Sequence, residues 1–253
     1  MIRFAKKVSA FNWKYGLGEV VLIFIGITLA IWFDSWNQHR VDRGKERLYL
    51  DELKRDLESD KSELNFLIAE NQLRMSGINR MNEVLSDSDI NILCDSIQHY
   101  VSISSFISVF SGSSTVFQDL QSTGNLLLIE DSDFKRRMMT YYSKIDTQKK
   151  YEDLNSRFHI NTQGVFIKNE WNTGGLFRLG RGEKNLQMPT GMDDCKETYA
   201  KVDEFRNNLD LYTAFTNHLN FSYFIASINT KEYQKLLVEA TNLIDLIDHY
   251  YNK

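Results

Sequence analysis

Proline is almost missing from this chain: Pro189 is the only one in 253 residues, and glycine contributes 13. So few breakers exclude a sandwich of short strands joined by turns and leave long helices as the expected elements. Cysteine is nearly as scarce. Cys94 and Cys195 stand 101 residues apart, which matches no zinc or redox spacing and leaves a disulfide between them open. Basic charge is in deficit outside the first residues. The net charge is −4, yet residues 1–16 hold Arg3, Lys6, Lys7 and Lys14 without an acid, so the remainder carries −8. An acidic body excludes the nucleic-acid class, which needs clustered Lys and Arg to displace counterions from phosphates, and leaves the basic tail to face anionic headgroups. With 42% hydrophobic and 25% charged residues, the chain has the composition of a folded protein.

What is present begins with an apolar run of 14, Val20 to Phe33 (VVLIFIGITLAIWF). Spanning roughly 30 Å of hydrocarbon takes about 20 residues at ~1.5 Å each, so the run alone is short. Extension to Tyr15 and Trp36 gives 22 residues flanked by Trp13 and Tyr15 on one side and Trp32 and Trp36 on the other. These flanks have the character of interfacial aromatic belts. Glu19 then falls within a turn of the headgroups, where an ionisable group is a candidate functional residue, its alternative being a snorkelling interfacial charge or a complement to the helix dipole. Gly26 and Ala30 form a small-xxx-small pair suited to helix–helix packing or to plain lipid contact. Two competing readings are weaker. A cleaved signal peptide needs its small-residue site after the apolar run, but Thr28-x-Ala30 lies inside it. A buried core helix does not require the basic, aromatic tail that precedes this one. Four Lys and Arg lie before the span and four soon after it (Arg40, Arg43, Lys45, Arg47), so the charge rule ties. A long C-terminal domain crosses largely regardless of flanking charge, and this favours an inner-membrane protein with its N-terminus in the cytoplasm and its domain in the periplasm.

Three regions follow: a basic tail over 1–14, a membrane helix over 15–36 and an extramembrane domain over 37–253. The domain reads as all-α, a helical bundle. Leu50, Leu53, Leu57, Leu64, Leu67 and Ile68 repeat at helical spacing among charges, which predicts a helix from Gly44 to Leu85. Its heptad register meets Asp60, Asn71 and Arg74 and so falls short of a sustained coiled coil. Ser104 to Ser114 reads as a loop or short helix, and Thr115 to Thr123 as a helix closed by Gly124. Asp131 and Ser132 supply an N-cap for a helix over Phe134 to Asn155. Trp171 to Gly191, with Gly174, Gly175, Gly180, Gly182 and Pro189, is expected to be a long loop running to about residue 193. Helical spacing returns from Asp193 and again from Tyr233, with Asn229 and Thr230 separating two helices and Thr230 capping the second.

The stretch YGLGEVVLIFIGITLAIWFDSWNQ and the later STVFQDLQSTGNLLLIEDSDFKRRMMTYYSKI resemble a family of uncharacterised single-span membrane proteins from Bacteroidota. In that family Gly-Glu opens the membrane helix and Trp-Asn closes it, as Gly18, Glu19, Trp36 and Asn37 do here. The resemblance covers roughly the first 70 residues and Ser113 to Ile145. It implies topology and assigns no activity.

Catalytic patterns are missing. The histidines His39, His99, His159, His218 and His249 fit no zinc motif, and no P-loop, GxSxG or CxxC occurs, so the expectation is no metal, no cofactor and no enzyme. Asp95 with His99 and Asp245 with His249 are i,i+4 pairs better suited to a hydrogen bond than to a metal. Arg178, Arg181 and Lys184 form a candidate anion or partner contact, set against a solvated loop. Two functions compete on these grounds. One is an interaction or scaffold subunit of an envelope assembly, with the bilayer, other envelope proteins and a second copy as partners. The other is a small-ligand sensor bundle that signals through a partner.

Overall fold

The computed structural model describes residues 13–86, 108–167 and 207–251, and among these it is all-helical, with no strand. The first helix, α1 (Trp13–Ser86), is one unbroken element of 74 residues, about 110 Å long at ~1.5 Å per residue. The two helices expected from the sequence are therefore fused, with no break between the apolar run and the leucine repeat. A short helix, α2 (Thr115–Ser122), and a 3-10 turn, Asn125–Leu128, lead into α3 (Ser132–Ile167), and the chain ends in α4 (Leu209–Tyr251).

Cross-links between elements fix their directions. Arg43 Nη1 donates to Tyr250 OH at 2.7 Å, Lys54 to Asp248 at 2.5 Å and Asn82 to Asn220 at 3.5 Å, so α4 runs antiparallel to α1. Tyr141 OH donates to Asp60 Oδ2 at 2.8 Å and the turn before α3 meets Glu46, so α3 runs parallel to α1. The contacts Gln148 to Asn229 and Phe158 to Phe221 make α3 antiparallel to α4. The result is a three-helix bundle.

Its core follows one rule. On α1 the buried side chains are Glu46, Leu50, Leu53, Leu57, Asp60, Leu64, Leu67, Asn71, Arg74, Ile78, Met81 and Leu85, alternating three and four residues apart, with Gly77 buried beside Ile78. The same alternation holds on α3 (Phe134, Met138, Tyr141, Ile145, Gln148, Glu152) and on α4 from Phe215 through Tyr233 to Ile247. This is heptad packing, in which a seam repeats every 3.5 residues so that it keeps facing its neighbours. Asp60, Asn71 and Arg74, which read as breaks in the leucine pattern, occupy the seam itself. The register persists through polar residues.

Several boundaries are as the sequence predicts. Helix α2 ends at Ser122 with Thr123 as its C-cap, and Gly124 follows at φ +74°, a left-handed position that costs a residue with a side chain about 1–2 kcal/mol. Asp131 Oδ1 accepts from the backbone N–H groups of Asp133 and Phe134 at 2.9 and 3.0 Å, which starts α3 at the expected cap. Helix α3 then continues past Asn155 to Ile167. The expected division at Asn229 and Thr230 is wrong: α4 passes through both. Thr230 Oγ1 donates to Ala226 O at 2.8 Å inside the helix, and Asn229 Oδ1 accepts from Gln148 Nε2 at 3.1 Å. Each side chain has a partner that leaves the helical ladder intact, so neither acts as a cap.

From Leu17 to Trp36 nothing in the described bundle covers α1. Val20, Leu22 and Phe24 are 66%, 71% and 70% exposed, and among the described residues α1, through this segment, is the one helix long and apolar enough, by length and composition, to cross a membrane.

Candidate functional site

Carboxylates inside a leucine seam are the chemical anomaly of this fold, and they gather around one segment. Residues 108–114 form an irregular strap in the groove between α1 and α3. Phe110 on that strap is 1% exposed and its ring lies 6.2 Å from that of Tyr233. Burying it takes backbone N–H groups away from water, and each must find an acceptor. Phe110 N donates to Glu152 Oε2 at 2.7 Å, Ser111 N to Glu63 Oε1 at 2.8 Å, Gly112 N to Glu63 Oε2 at 3.3 Å and Ser113 N to Asp60 Oδ1 at 2.7 Å. Three carboxylates thus hold four successive amides. Lys149 Nζ donates to the Gly112 carbonyl at 3.2 Å from the other side.

Gly112 makes the strap fit. Its φ of +51° is left-handed, and a Cβ there would lie 2.9 Å from Phe110 Cε1 and 3.0 Å from Ile145 Cγ2. Only glycine meets both demands.

The carboxylates are saturated by other donors. Asp60, 1% exposed, also accepts from Tyr141 OH; Glu152, 3% exposed, accepts from Tyr233 OH at 2.7 Å and Gln148 Nε2 at 2.8 Å. Burial pushes both acids above the ordinary carboxylate range, against these hydrogen bonds, which favour the charged form. Burial likewise raises Tyr141 and Tyr233, with Asp60 and Glu152 adding to it. Farther along, Arg74 is 5% exposed and lowered to about 10 by burial, opposed by Glu70. His218 is lowered to about 4 by burial and by the charge of Arg74.

A cleft opens beside this network. Arg74, Glu152, Asn155, Ser222 and Asn229 give it polar walls, Val109, Phe221 and Ile225 close it, and it has room for about one water molecule. Ser222 Oγ, buried at its edge, has no hydrogen-bond partner. Among the described residues no three His, Cys, Asp or Glu side chains gather as a metal set. The arrangement acts chemically as an acceptor array that holds backbone amides.

A second polar node closes the end of the bundle nearest the apolar segment. Arg43 Nη1 donates to Glu46 Oε2 at 2.6 Å and to Tyr250 OH, and its other nitrogen pairs with Glu130. One guanidinium ties α1, α4 and the turn before α3 together, and Glu130 holds it above the ordinary arginine value.

The residues singled out from sequence lie elsewhere. Glu19 is exposed on α1, seven residues before Gly26 and on the same apolar segment. A Cβ on Gly26 would meet no atom within 4 Å, so the Gly26 and Ala30 face packs on no described part of the chain. Trp13, Trp32 and Trp36 are 71%, 65% and 51% exposed; Trp36 lies 5.9 Å from Phe33 and 5.7 Å beneath the Arg40 guanidinium. Tyr15 falls within α1, its side chain outside the description. Arg178, Arg181, Lys184, the loop to residue 193, Cys94, Cys195, Asp95 and His99 all lie outside the described residues. Sequence reasoning noticed Asp60 and Arg74 only as interruptions and missed Glu152 altogether. The usable signal was positional: a polar residue at a heptad core position is a buried polar residue.

No curated protein and no solved structure shows significant similarity to the chain. Residues 19–151, which take in most of the apolar segment, the rest of α1, the strap, α2 and most of the bundle portion of α3, match DUF6090, a family of unknown function, and the chain belongs to that family.

Proposed function

We propose that this is a single-span protein of the inner membrane, N-terminus in the cytoplasm and bundle in the periplasm, serving as an interaction or scaffold subunit of a cell-envelope assembly. The observation that carries the reading is the exposed apolar segment of α1, continuous with a folded bundle. Thirteen large hydrophobic side chains from Leu17 to Trp36 are exposed, far beyond the few hundred Å² of contiguous apolar surface a soluble monomer tolerates. The 22 residues from Tyr15 to Trp36 reach about 33 Å, against about 30 Å of hydrocarbon. Phe33 and Trp36, with the Arg40 guanidinium over the Trp36 ring, supply one interfacial belt and Trp13 the other. The resemblance to single-span proteins of Bacteroidota supports the same topology.

The cleft beside Arg74 and Glu152 has room for about one water, whereas sites for small organic ligands run to about 300 Å³ or more, so this cleft does not serve the alternative reading of a small-ligand sensor. Gly26 and Ala30 offer one contact face for a neighbouring membrane helix, or for a second copy. Affinity purification of the tagged full chain from mild detergent should return stoichiometric envelope partners; a lone monomer would sink the scaffold reading. A cysteine placed near Lys253 should react with an impermeant reagent on intact spheroplasts, and protection until lysis would reverse the orientation.

A further inference from the structure

We infer that the outward stripe of α1 from Ser59 to Ser76 is the surface on which a second copy of this chain docks, the two α1 helices lying parallel and level. The inference rests on reading α1 as a membrane span, and it names one partner for the interaction reading. Two residues advance a helix by about 200°, so the positions two after each core residue face away from the bundle. After Leu57, Asp60, Leu64, Leu67, Asn71 and Arg74 those positions are Ser59, Ser62, Phe66, Ala69, Leu73 and Ser76, and all six are exposed. None is charged, in a chain with 25% charged residues. Past Trp36, α1 exposes four large hydrophobics, Val41, Leu48, Phe66 and Leu73, and each falls on this stripe or on its heptad continuation toward the membrane.

A second copy fits this stripe better than an unrelated partner. Its spacing of three and four residues repeats every ~3.5, the period at which a face keeps meeting an identical helix. Two copies anchored by the same span stand parallel and at one height, so each residue meets its own counterpart. Such pairing sets like against like, which a charged stripe would oppose. Phe66 and Leu73, 63% and 57% exposed, can stack as apolar layers, and the serines and alanine between them let the helices approach. Gly26 and Ala30 precede Ser62 and Phe66 by 36 residues, ten turns at ~3.6 residues each, so they lie on the same side of a straight α1 and carry the contact into the bilayer. The stripe is about 27 Å long and about 10 Å wide, which buries roughly 300 Å² per copy against the ~800 Å² per partner of a stable pair. Confinement of both copies to one membrane raises their effective concentration and supplies what the area lacks.

The test is oxidative cross-linking of the full chain in isolated cell membranes, with Cys94 and Cys195 replaced by serine and one cysteine introduced at Ala69→Cys. Lys150→Cys on α3 and Lys235→Cys on α4 are the references. Both lysines are exposed and stand level with Ala69, since Tyr141 meets Asp60 and Asp248 meets Lys54. We expect Ala69→Cys to yield a product of twice the monomer mass several-fold faster than either reference. Adding Phe66→Ser and Leu73→Ser should slow that product several-fold while leaving the melting temperature of the bundle unchanged, because both side chains are exposed. Equal rates at all three sites, or a rate that survives the double substitution, would refute the stripe. A product joining Ala69→Cys to a different protein would overturn the choice of partner. A water-soluble maleimide that labels Gly26→Cys as fast as Ala69→Cys would refute the span, and the parallel alignment with it; shielding of Gly26→Cys without the cross-link at 69 would refute the stripe alone.

Discussion

His218 offers the most direct test of the polar interior. It is 7% exposed on α4, and burial together with the Arg74 charge lowers its imidazole from 6.5 to about 4. The native protein therefore keeps His218 neutral where the unfolded chain protonates it. A depressed native value gives stability that is fully present above about pH 6.5 and is lost as pH falls toward 4. At ~1.36 kcal/mol per pH unit, the loss reaches about 2 kcal/mol by about pH 5 and about 3 kcal/mol by about pH 4. For a protein of this size each kcal/mol moves the melting temperature by roughly 2–4 °C. Thermal melts followed by far-UV ellipticity, on the full chain in nanodiscs, should be compared between the parent and His218→Gln from about pH 8 to about pH 4.5. Other groups titrate in both proteins and cancel in the difference. We expect the melting temperature of the parent to fall toward that of the variant, or below it, by roughly 4–8 °C between about pH 7 and about pH 5. Parallel profiles would refute the burial argument for His218.

Asp60 and Glu152 titrate in the opposite sense. Their raised native values mean a contribution present below the ordinary carboxylate range and lost as pH rises through those values; Asp60→Asn and Glu152→Gln should flatten that part of the same melting profile. Gly112→Ala combines a left-handed backbone with contacts of 2.9 and 3.0 Å and should cost about 2–4 kcal/mol, read as a melting temperature lower by roughly 5–15 °C. A double-mutant cycle with Glu152→Gln and Tyr233→Phe, measured by urea unfolding, should return a coupling of about 1–3 kcal/mol; a value near zero would deny that the 2.7 Å bond matters. Arg43→Met should loosen the end of the bundle next to the apolar segment, and amide exchange in the turn Asn125–Leu128 should accelerate by about 5–30-fold, equivalent to one or two kcal/mol.

The apolar run, the leucine repeat of α1, the glycine closing α2 and the aspartate opening α3 were all legible, because each is a local signal: periodicity, a left-handed position or a cap. What stayed hidden needed a partner from another element. Asn229 and Thr230 look like a helix boundary until Gln148 and the Ala226 carbonyl are brought to them. Glu152 stands among Lys149, Lys150, Tyr151 and Asp153, where nothing local marks it as the one charge of that group to be buried. Its burial follows from lying seven residues beyond Ile145, on the seam. The strap is a similar case: SGSS predicts irregular backbone, but the Glu63, Asp60 and Glu152 carboxylates that give it a fixed path come from two helices.

Those carboxylates also answer a question that a leucine seam leaves open. Helices packed through identical leucines can slide past one another by one heptad, about 10.5 Å, with little change in apolar burial. Here the slide fails at the polar layers. Moving α4 by seven residues in either direction would set Glu152 against Ala226 or Ala240 in place of Tyr233, leaving a buried carboxylate facing a methyl group. Moving α3 upward would offer Asp60 the Phe134 ring in place of Tyr141, and moving it downward, although Gln148 could donate to Asp60, would carry Glu152 from Tyr233 to the level of Ala240. Leaving a buried charge without its partner costs about 3–5 kcal/mol, comparable with the whole stability of a modest domain. The acids therefore select one vertical register from several that the leucines would accept. That register sets the height of everything hung on the bundle: it fixes the strap at Asp60 and Glu152, and through α3 it places Glu130 against Arg43 and the turn Asn125–Leu128 at the level of Tyr49.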